Sequence, residues 1–413
     1  MGKNGNFRLT RLERNWILYD VGNSAFVLMV ATLIPIFFNA LAESGGLTSV
    51  EYLAYWGYAA SAVTVITAVL SPILGTLADT RNFKKPIFTF CVAVGVIGCC
   101  AMGMASTWLP FLLIFIFAKV GFSGSLVFYD SMLSDVTVPD RMDEVSSKGY
   151  AWGYIGSCVP FVVCLALVLG AGSIGISQMT ALNLALFITA AWWLVTTLPL
   201  LRQYKQVHFV EVQEHAIRQS FARIGHTLRH LKEDRQVFWF LLAFFCYIDG
   251  VYTIIDMATA YGTALGLDTT GLLLALLVTQ IVAFPSALVF GRLSGQYPSG
   301  TLIPVCIAAY AGIALFAFFL KHQWQFWVLA VVVGMFQGGI QALSRSHFAK
   351  IIPPEKSGEY FGLFDICGKG ASFLGTMIVS VGSQLTGSAN VGVGSLIVLF
   401  VVGFVLFRVS DQK

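Results

Sequence analysis

The residues best able to do chemistry in this chain are charged and amide side chains that interrupt long apolar runs. Lys119, Asp249, Gln280, Gln337 and Lys369 fall near the middle of such runs, and Asp20, Asp130 and Arg345 fall nearer one end. A charge at bilayer depth costs at least about 2.5 kcal/mol on insertion scales, so each marks a candidate functional position. Lys119 and Asp249 together could take the carboxylate and the ammonium of a zwitterion; their direct neutralisation of one another is the structural alternative. Gln280 and Gln337 add amide donors and acceptors at similar depth. Asp249 and Asp256 are the carboxylates best suited to carry a proton, with Asp20 next. Asp20, Asp130 and Arg345 suit a gate at one end of a pathway, or a structural ion-pair network. Asp365 and Lys369, four residues apart with the acid first, read as a pair within one helix.

Other chemistries find no constellation. The six histidines lie between apolar runs or at their ends, and His226 and His230 lack the HExxH glutamate. The eight cysteines all fall inside apolar runs with no CxxC spacing, which fits packing rather than metal or redox work. There is no GxxxxGK[ST] loop for a nucleotide. We therefore expect no catalytic residue, no metal and no cofactor, and an enzyme is disfavoured.

The elements that must position these residues are membrane helices. Of 413 residues, 57% are hydrophobic and 11% charged, and the mean hydropathy is +0.78. A soluble domain carries about 25% charged residues, so the chain reads as an all-α polytopic membrane protein, with nucleic acid excluded as a partner and lipid implied. Runs of about 20 residues suffice to span the hydrocarbon, and the pattern predicts twelve, at 15–42, 50–78, 87–106, 109–136, 146–171, 178–201, 236–264, 269–293, 301–320, 324–350, 357–386 and 389–408. The first run is as long as a full span, too long for a signal peptide. Helical spacing gives four of them polar stripes: Asp20, Asn23 and Ser24 on span 1; Lys119, Ser123 and Asp130 on span 4; Asp249, Tyr252, Thr253 and Asp256 on span 7; Gln337, Gln341 and Arg345 on span 10.

Every Lys and Arg except Lys119, Lys321 and Lys369 falls on one side of this topology, which predicts both termini in the cytoplasm and a multi-pass protein of the cell (inner) membrane. The long polar segment 202–235 divides the chain into an N-terminal bundle, 1–201, and a C-terminal bundle, 236–413. Within it Ile217, Phe221, Ile224, Leu228 and Leu231 recur at helical spacing among basic residues, as in an amphipathic helix lying on headgroups. The bundles carry traces of a repeat. Gly75-Thr-Leu-Ala matches Gly291-Arg-Leu-Ser, Phe122-x-Gly124 matches Phe336-x-Gly338, and Gly149-x-x-x-Gly153 matches Gly358-x-x-x-Gly362, in order and at nearly constant offset.

Two motifs carry a resemblance. Gly75-x-Leu77-Ala78-Asp79-x-x-x-x-Lys84-Lys85 is similar to the major-facilitator signature between spans 2 and 3, with Asn82 where a glycine is usual. Gly75 permits close helix contact, Asp79 is expected to face a neighbouring helix N-terminus, and Arg81, Lys84 and Lys85 are expected to pair with acids or lipid phosphates. The second motif is Trp16-x-x-Tyr19-Asp20-x-x-Asn23-Ser24, with Gln341-Ala-Leu-Ser344-Arg345-Ser346 and Phe361-Gly362. It resembles the major-facilitator branch that groups uncharacterised bacterial transporters with fungal vacuolar amino-acid effluxers linked to autophagy. The resemblance implies that spans 1, 4, 7 and 10 line a cavity, that Gly75, Asp79, Arg81, Lys84, Asp130 and Arg345 gate it, and that the solute is an amino acid or related metabolite. It also implies a monomer working by alternating access, with protons as one candidate coupling ion. A lipid mover or a scaffold of the same shape is the alternative.

Overall fold

The computed structural model describes residues 8–211 and 234–411, with no side chain described at 49–50, 53, 259–260, 263–264, 269–270, 273 and 369–373. The expected amphipathic helix over 217–231 lies outside the described residues. Before the linker run α1 (Arg11–Ala31), α2 (Leu33–Ser44), α3 (Ser49–Ala78), α4 (Lys84–Met102), α5 (Trp108–Ser131), α6 (Leu133–Val136), α7 (Pro139–Leu169) and α8 (Gln178–Gln203). After it run α9 (Arg235–Ala264), α10 (Thr269–Leu293), α11 (Ser299–Phe318), α12 (Gln323–Ile351), α13 (Ser357–Thr386), α14 (Ala389–Gly394) and α15 (Ile397–Asp411). Among the described residues, eleven segments are long and apolar enough to cross a membrane, α1 and α2 counting as one and α14 and α15 as another. The helix α13 carries Glu359, Asp365 and Lys369 and is not among the eleven.

Local chemistry sets several helix ends. Thr10 and Glu13 form a capping box that opens α1, the Thr10 hydroxyl accepting from the Glu13 N–H at 3.1 Å and the Glu13 carboxylate from the Thr10 N–H at 2.7 Å. Thr48 and Glu51 do the same for α3. The first predicted span is two helices because Pro35 has no N–H to give the Ala31 carbonyl, and Thr32 breaks the ladder at φ −131° and ψ −77°. The fourth also ends earlier than expected, at Ser131, with α6 as a separate turn.

The helices form two groups. In the first, Trp193 is fully buried, stacking on Phe26 at 5.5 Å and meeting Phe122 edge-on at 5.7 Å. In the second, Phe364 stacks on Phe244 at 3.9 Å and on Phe348 at 4.9 Å. Such ring pairs add about 0.5–1.5 kcal/mol each to the area they bury. Phe90, Ile97, Phe117, Leu169 and Val305 stand exposed on the helix surfaces, a face suited to hydrocarbon. The groups meet along a seam where α3 lies on α13 and α7 lies on α10 and α12. Cross-seam hydrogen bonds involve Ser71, Asp79, Asp130, Asp143, Ser146 and Tyr154 on one side, all toward the end rich in Lys and Arg. Toward the opposite end, bonds such as Asp268–Gln323 and Asn390–Leu320 stay within one group. The seam is closed at the basic end.

Candidate functional site

Arg345 is the centre of that closure. It is 2% exposed, and its guanidinium lies over three rings of the first group, Tyr150 at 4.3 Å, Trp16 at 4.7 Å and Tyr129 at 5.4 Å. Its Nη1 donates to Asp130 at 3.0 Å, its Nε to the Ser146 hydroxyl at 2.9 Å and its Nη2 to the Ser146 carbonyl at 3.0 Å, with Asp20 Oδ2 3.6 Å from Nη2. Trp16 is itself fixed, its Nε1 donating to the Tyr129 carbonyl at 3.0 Å while the two rings stack at 4.3 Å. Planar geometry and five donors let one arginine satisfy two acids, a hydroxyl, a carbonyl and three ring faces at once. Asp20, Asp130 and Arg345 are thus brought together, with the acids on one side of the seam and the cation on the other. Asp20, considered a proton carrier from sequence, stands in this cage.

The second cluster is the turn between α3 and α4. Asp79 Oδ1 accepts from the Gly358 N–H at 2.7 Å and Oδ2 from the Glu359 N–H at 2.8 Å, across the seam at the N-terminus of α13. The Lys84 ammonium is 0% exposed, donates to Ser357 Oγ at 2.8 Å, and lies 3.7 Å from both Asp79 and Asp135. Gly75 faces the backbone of Gly358 with no room for a side chain. Asn82 takes φ +66°, a left-handed turn conformation that asparagine tolerates. Arg81 does not join the seam: it is exposed and pairs with Glu211 at 3.5 Å.

The start of the linker is strapped to this turn. Val210 exchanges backbone hydrogen bonds with Asp79 and Arg81, at 2.8 and 3.1 Å. Asp135 accepts from the Tyr204 hydroxyl, from the His208 N–H at 2.9 Å, and pairs with His208 Nδ1 at 3.0 Å. Burial pushes the Asp135 carboxyl up, but the His208 hydrogen bond and the Lys84 charge outweigh it and hold the acid below its usual range. The same hydrogen bond holds His208 above its usual value.

At mid-depth the structure corrects one pairing. Lys119 and Asp249 do not face each other. Asp249 is 0% exposed and turned toward α13, where its Oδ1 accepts from the Gly375 N–H at 2.8 Å and from Thr253 Oγ1 at 3.3 Å, while Oδ2 is buried without a hydrogen-bond partner. An acid within electrostatic range of Lys119 is Asp256, two turns further along α9 and exposed. Lys119 also lies 4.7 Å from the centre of the Phe122 ring. Gln280 and Gln337 do come together, on a cavity of about 40 Å³ between α9, α10 and α12 that is otherwise lined by Thr279 and by apolar residues such as Ile254, Leu329 and Val333. That volume suits a water or two, and the Gln337 Oε1 is buried there without a partner. Asp365 accepts from Ser71 Oγ across the seam at 2.8 Å; the Lys369 side chain of its expected partner lies outside the described residues.

Several residues were missed from sequence. Asp143 accepts from Ser346 Oγ at 2.6 Å and pairs with Lys350 across the seam. Tyr154 donates to Gln341 at 2.7 Å, also across it. Opposite charges at the basic ends of spans 5 and 10 were the available signal for Asp143 and Lys350. Glu359, 2% exposed, had none.

Comparison with known proteins places the chain in a family. The family model described as "Vacuole effluxer Atg22 like" matches residues 10–140 and 134–413. The uncharacterised MFS-type transporter YxiO of Bacillus subtilis (strain 168) is 42% identical over 411 residues, 98% of this chain and 96% of that protein. Autophagy-related protein 22 of Saccharomyces cerevisiae is 25% identical over 315 residues, 67% of this chain and 59% of its own length. In the similar protein of Coccidioides immitis the match spans 51% of the length. Among solved structures, the major facilitator transporter FucP in its outward conformation superposes with a TM-score of 0.73 at 17% identity, covering 98% of each chain. By matched length and by identity to YxiO, the chain belongs to the Atg22-like family of major facilitator transporters.

Proposed function

We propose that the chain is a twelve-span secondary active transporter of the cell membrane, with two six-helix halves (1–201 and 236–413) and both termini in the cytoplasm. In this reading it carries a small polar solute, an amino acid or related metabolite, by alternating access, and protons are the coupling ion. The supporting observation is that Lys119 and Asp256 stand on opposite halves within electrostatic range, across a seam closed at the basic end by Arg345 and Asp79. A zwitterion placed between them offers its carboxylate to the lysine and its ammonium to the aspartate. Gln280 and Gln337 lie on the second half and supply amide contacts. Binding both halves at once gives the solute a differential hold on the two states, which any ligand-driven switch requires. Asp249, buried against α13 with one oxygen unpartnered, carries the coupling proton on that oxygen, and Asp256 is the next candidate.

The test is solute flux in proteoliposomes against an amino-acid panel, with and without a pH gradient. Asp249→Asn is expected to abolish gradient-driven accumulation while leaving exchange at equal pH partly intact. Lys119→Gln and Asp256→Asn are each expected to weaken zwitterion transport. Accumulation that persists in Asp249→Asn removes that residue from coupling, and a panel with no transported amino acid overturns the substrate class.

A further inference from the structure

The charges buried at the basic end of the seam do not balance. Asp79, Asp135 and Glu359 are all buried there, and among the described residues Lys84 is the one fully buried cation facing them. Lys84 is shared, 3.7 Å from Asp79 on one side and from Asp135 on the other. Asp135 has further help from Tyr204 and His208 at the start of the linker. The Glu359 side chain has no such help: its Oε1 is buried without a hydrogen-bond partner, and its carboxylate lies within electrostatic range of Asp79. Other charges near this cluster are Glu355, before α13 and within electrostatic range of His208; Asp234, which with Glu359 acts on Tyr360; the half-buried Lys85 and Lys356 beside Lys84 and Ser357; and the exposed Arg81, which is engaged with Glu211. Asp79 belongs to the first group and Glu359 to the second. Two acids are therefore pressed together only while the seam is closed.

We propose that Asp79 and Glu359 form a proton-binding pair across the seam, so that closing this end takes up a proton from the adjoining solution and opening releases it. An uncompensated buried carboxylate is costly, and a proton held by the pair removes that cost. When the seam opens, Asp79 loses the Gly358 and Glu359 N–H donors, and both acids return to water. Burial pushes Asp79 up to about 7 in the closed form, with Lys84 and the two N–H groups opposing and Glu359 adding to the rise. A solvated carboxyl titrates near 4. The closed form thus binds more protons than the open one. Its advantage is greatest at low pH, shrinks by up to about tenfold per pH unit as pH rises toward 7, and is constant above that. The linkage needs no solute and is independent of the coupling assigned to Asp249.

The measurement is a distance across this end in the full-length protein, in lipid nanodiscs without solute, between spin labels at Val138→Cys and Gln296→Cys in a background lacking the native cysteines. Both positions are exposed and lie on opposite groups. Between pH 5 and 7 the ratio of short- to long-distance populations should fall by several-fold per unit. Glu359→Gln should confine that dependence to lower pH and leave the short distance more populated, and Asp79→Asn, a second variant should the first not fold, should flatten it. His208→Gln should keep the slope. A parent protein without pH dependence, an unchanged slope in Glu359→Gln, or a slope lost with His208 overturns the proposal, the last by moving the proton to the Asp135 side.

Discussion

A methyl group at Gly362 should open the basic end of the protein. An ideal Cβ there would stand 2.7 Å from the Ser71 carbonyl oxygen, 2.8 Å from Pro72 Cα and 3.0 Å from Pro72 N, all backbone atoms of α3 that no rotamer change can move. Relieving those contacts requires α3 and α13 to part by about half an ångström or more. One turn away, the same separation stretches the Gly358 and Glu359 hydrogen bonds to Asp79 from 2.7 and 2.8 Å toward the limit of useful geometry. Overpacking costs about 1–3 kcal/mol, and weakening two hydrogen bonds to a charged acceptor adds about 1–2 kcal/mol. In the open form the methyl meets no opposing backbone, so the closed form should lose about 3 kcal/mol, on the order of a hundredfold in the ratio of closed to open. Glycine to alanine inside a helix favours folding by about 1 kcal/mol, so expression should not suffer. The assay is the reaction of an impermeant maleimide with Ser147→Cys in inside-out vesicles. Ser147 is buried on the seam beside Gly291 and becomes accessible only when this end opens. Gly362→Ala should accelerate labelling by at least tenfold, and Gly75→Ala should do the same from the facing helix. Equal labelling in parent and variants would refute the reasoning that backbone contact holds the seam.

Arg345→Lys should impair transport as severely as Arg345→Ala and accelerate the same labelling, because an ammonium cannot serve Asp130, Ser146 and three ring faces together; near-normal transport by the lysine variant would show that only the charge matters. Asp143→Lys should open the seam, and combining it with Lys350→Asp should recover most of the closure, measured as a double-mutant cycle. The strap between His208 and Asp135 should be pH-dependent: His208 titrates above its usual value when strapped, so the attachment is complete below about pH 6.5 and weakens as pH rises through the raised value. Protection of the Val210 amide from exchange, corrected for the intrinsic rate, reports this and should be unaffected by pH in His208→Gln. Reporters at Lys205 should react only from the cytoplasmic side and those at Ser388 only from outside; labelling of Lys205 from outside would invert the topology.

The helices were legible in the sequence because the bilayer leaves few options: twenty apolar residues with every backbone group satisfied internally must be a helix. The breaks were less legible. Pro35 and Thr32 lie inside an unbroken apolar run, and hydropathy does not register a missing N–H. The clustering of Asp20, Asp130 and Arg345 was legible for another reason: all three are costly at that depth, and charge balance demands that they find one another. The aromatic cage was not, since Trp16, Tyr129 and Tyr150 look like any other membrane aromatics until the helices are placed. Glu359 was invisible for a similar reason. An acid in the first turn of a helix is ordinary N-terminal chemistry, and only the approach of α3 makes it a buried charge.

Asp249 and Asp256 show where periodicity alone fails. They are seven residues apart, so a helix of 3.6 residues per turn puts them about 20° apart on α9. No sequence pattern separates two residues that share a face. What separates them is the neighbouring helix. At the level of Asp249, Gly375 lets α13 approach so closely that an added methyl would stand 2.6 Å from the carboxylate, and its N–H takes the carboxylate at 2.8 Å. At the level of Asp256, two turns on, the side chain stands exposed within electrostatic range of Lys119. One acid is therefore sealed by a glycine on a helix more than a hundred residues away, and the other is left exposed. The proposed division of labour between a buried proton carrier and a solute contact rests on that one close approach. Enlarging Gly375 to alanine should disturb the first without touching the second: gradient-driven accumulation should fall while exchange at equal pH persists. Equal loss of both would mean that the two carboxylates act as one site.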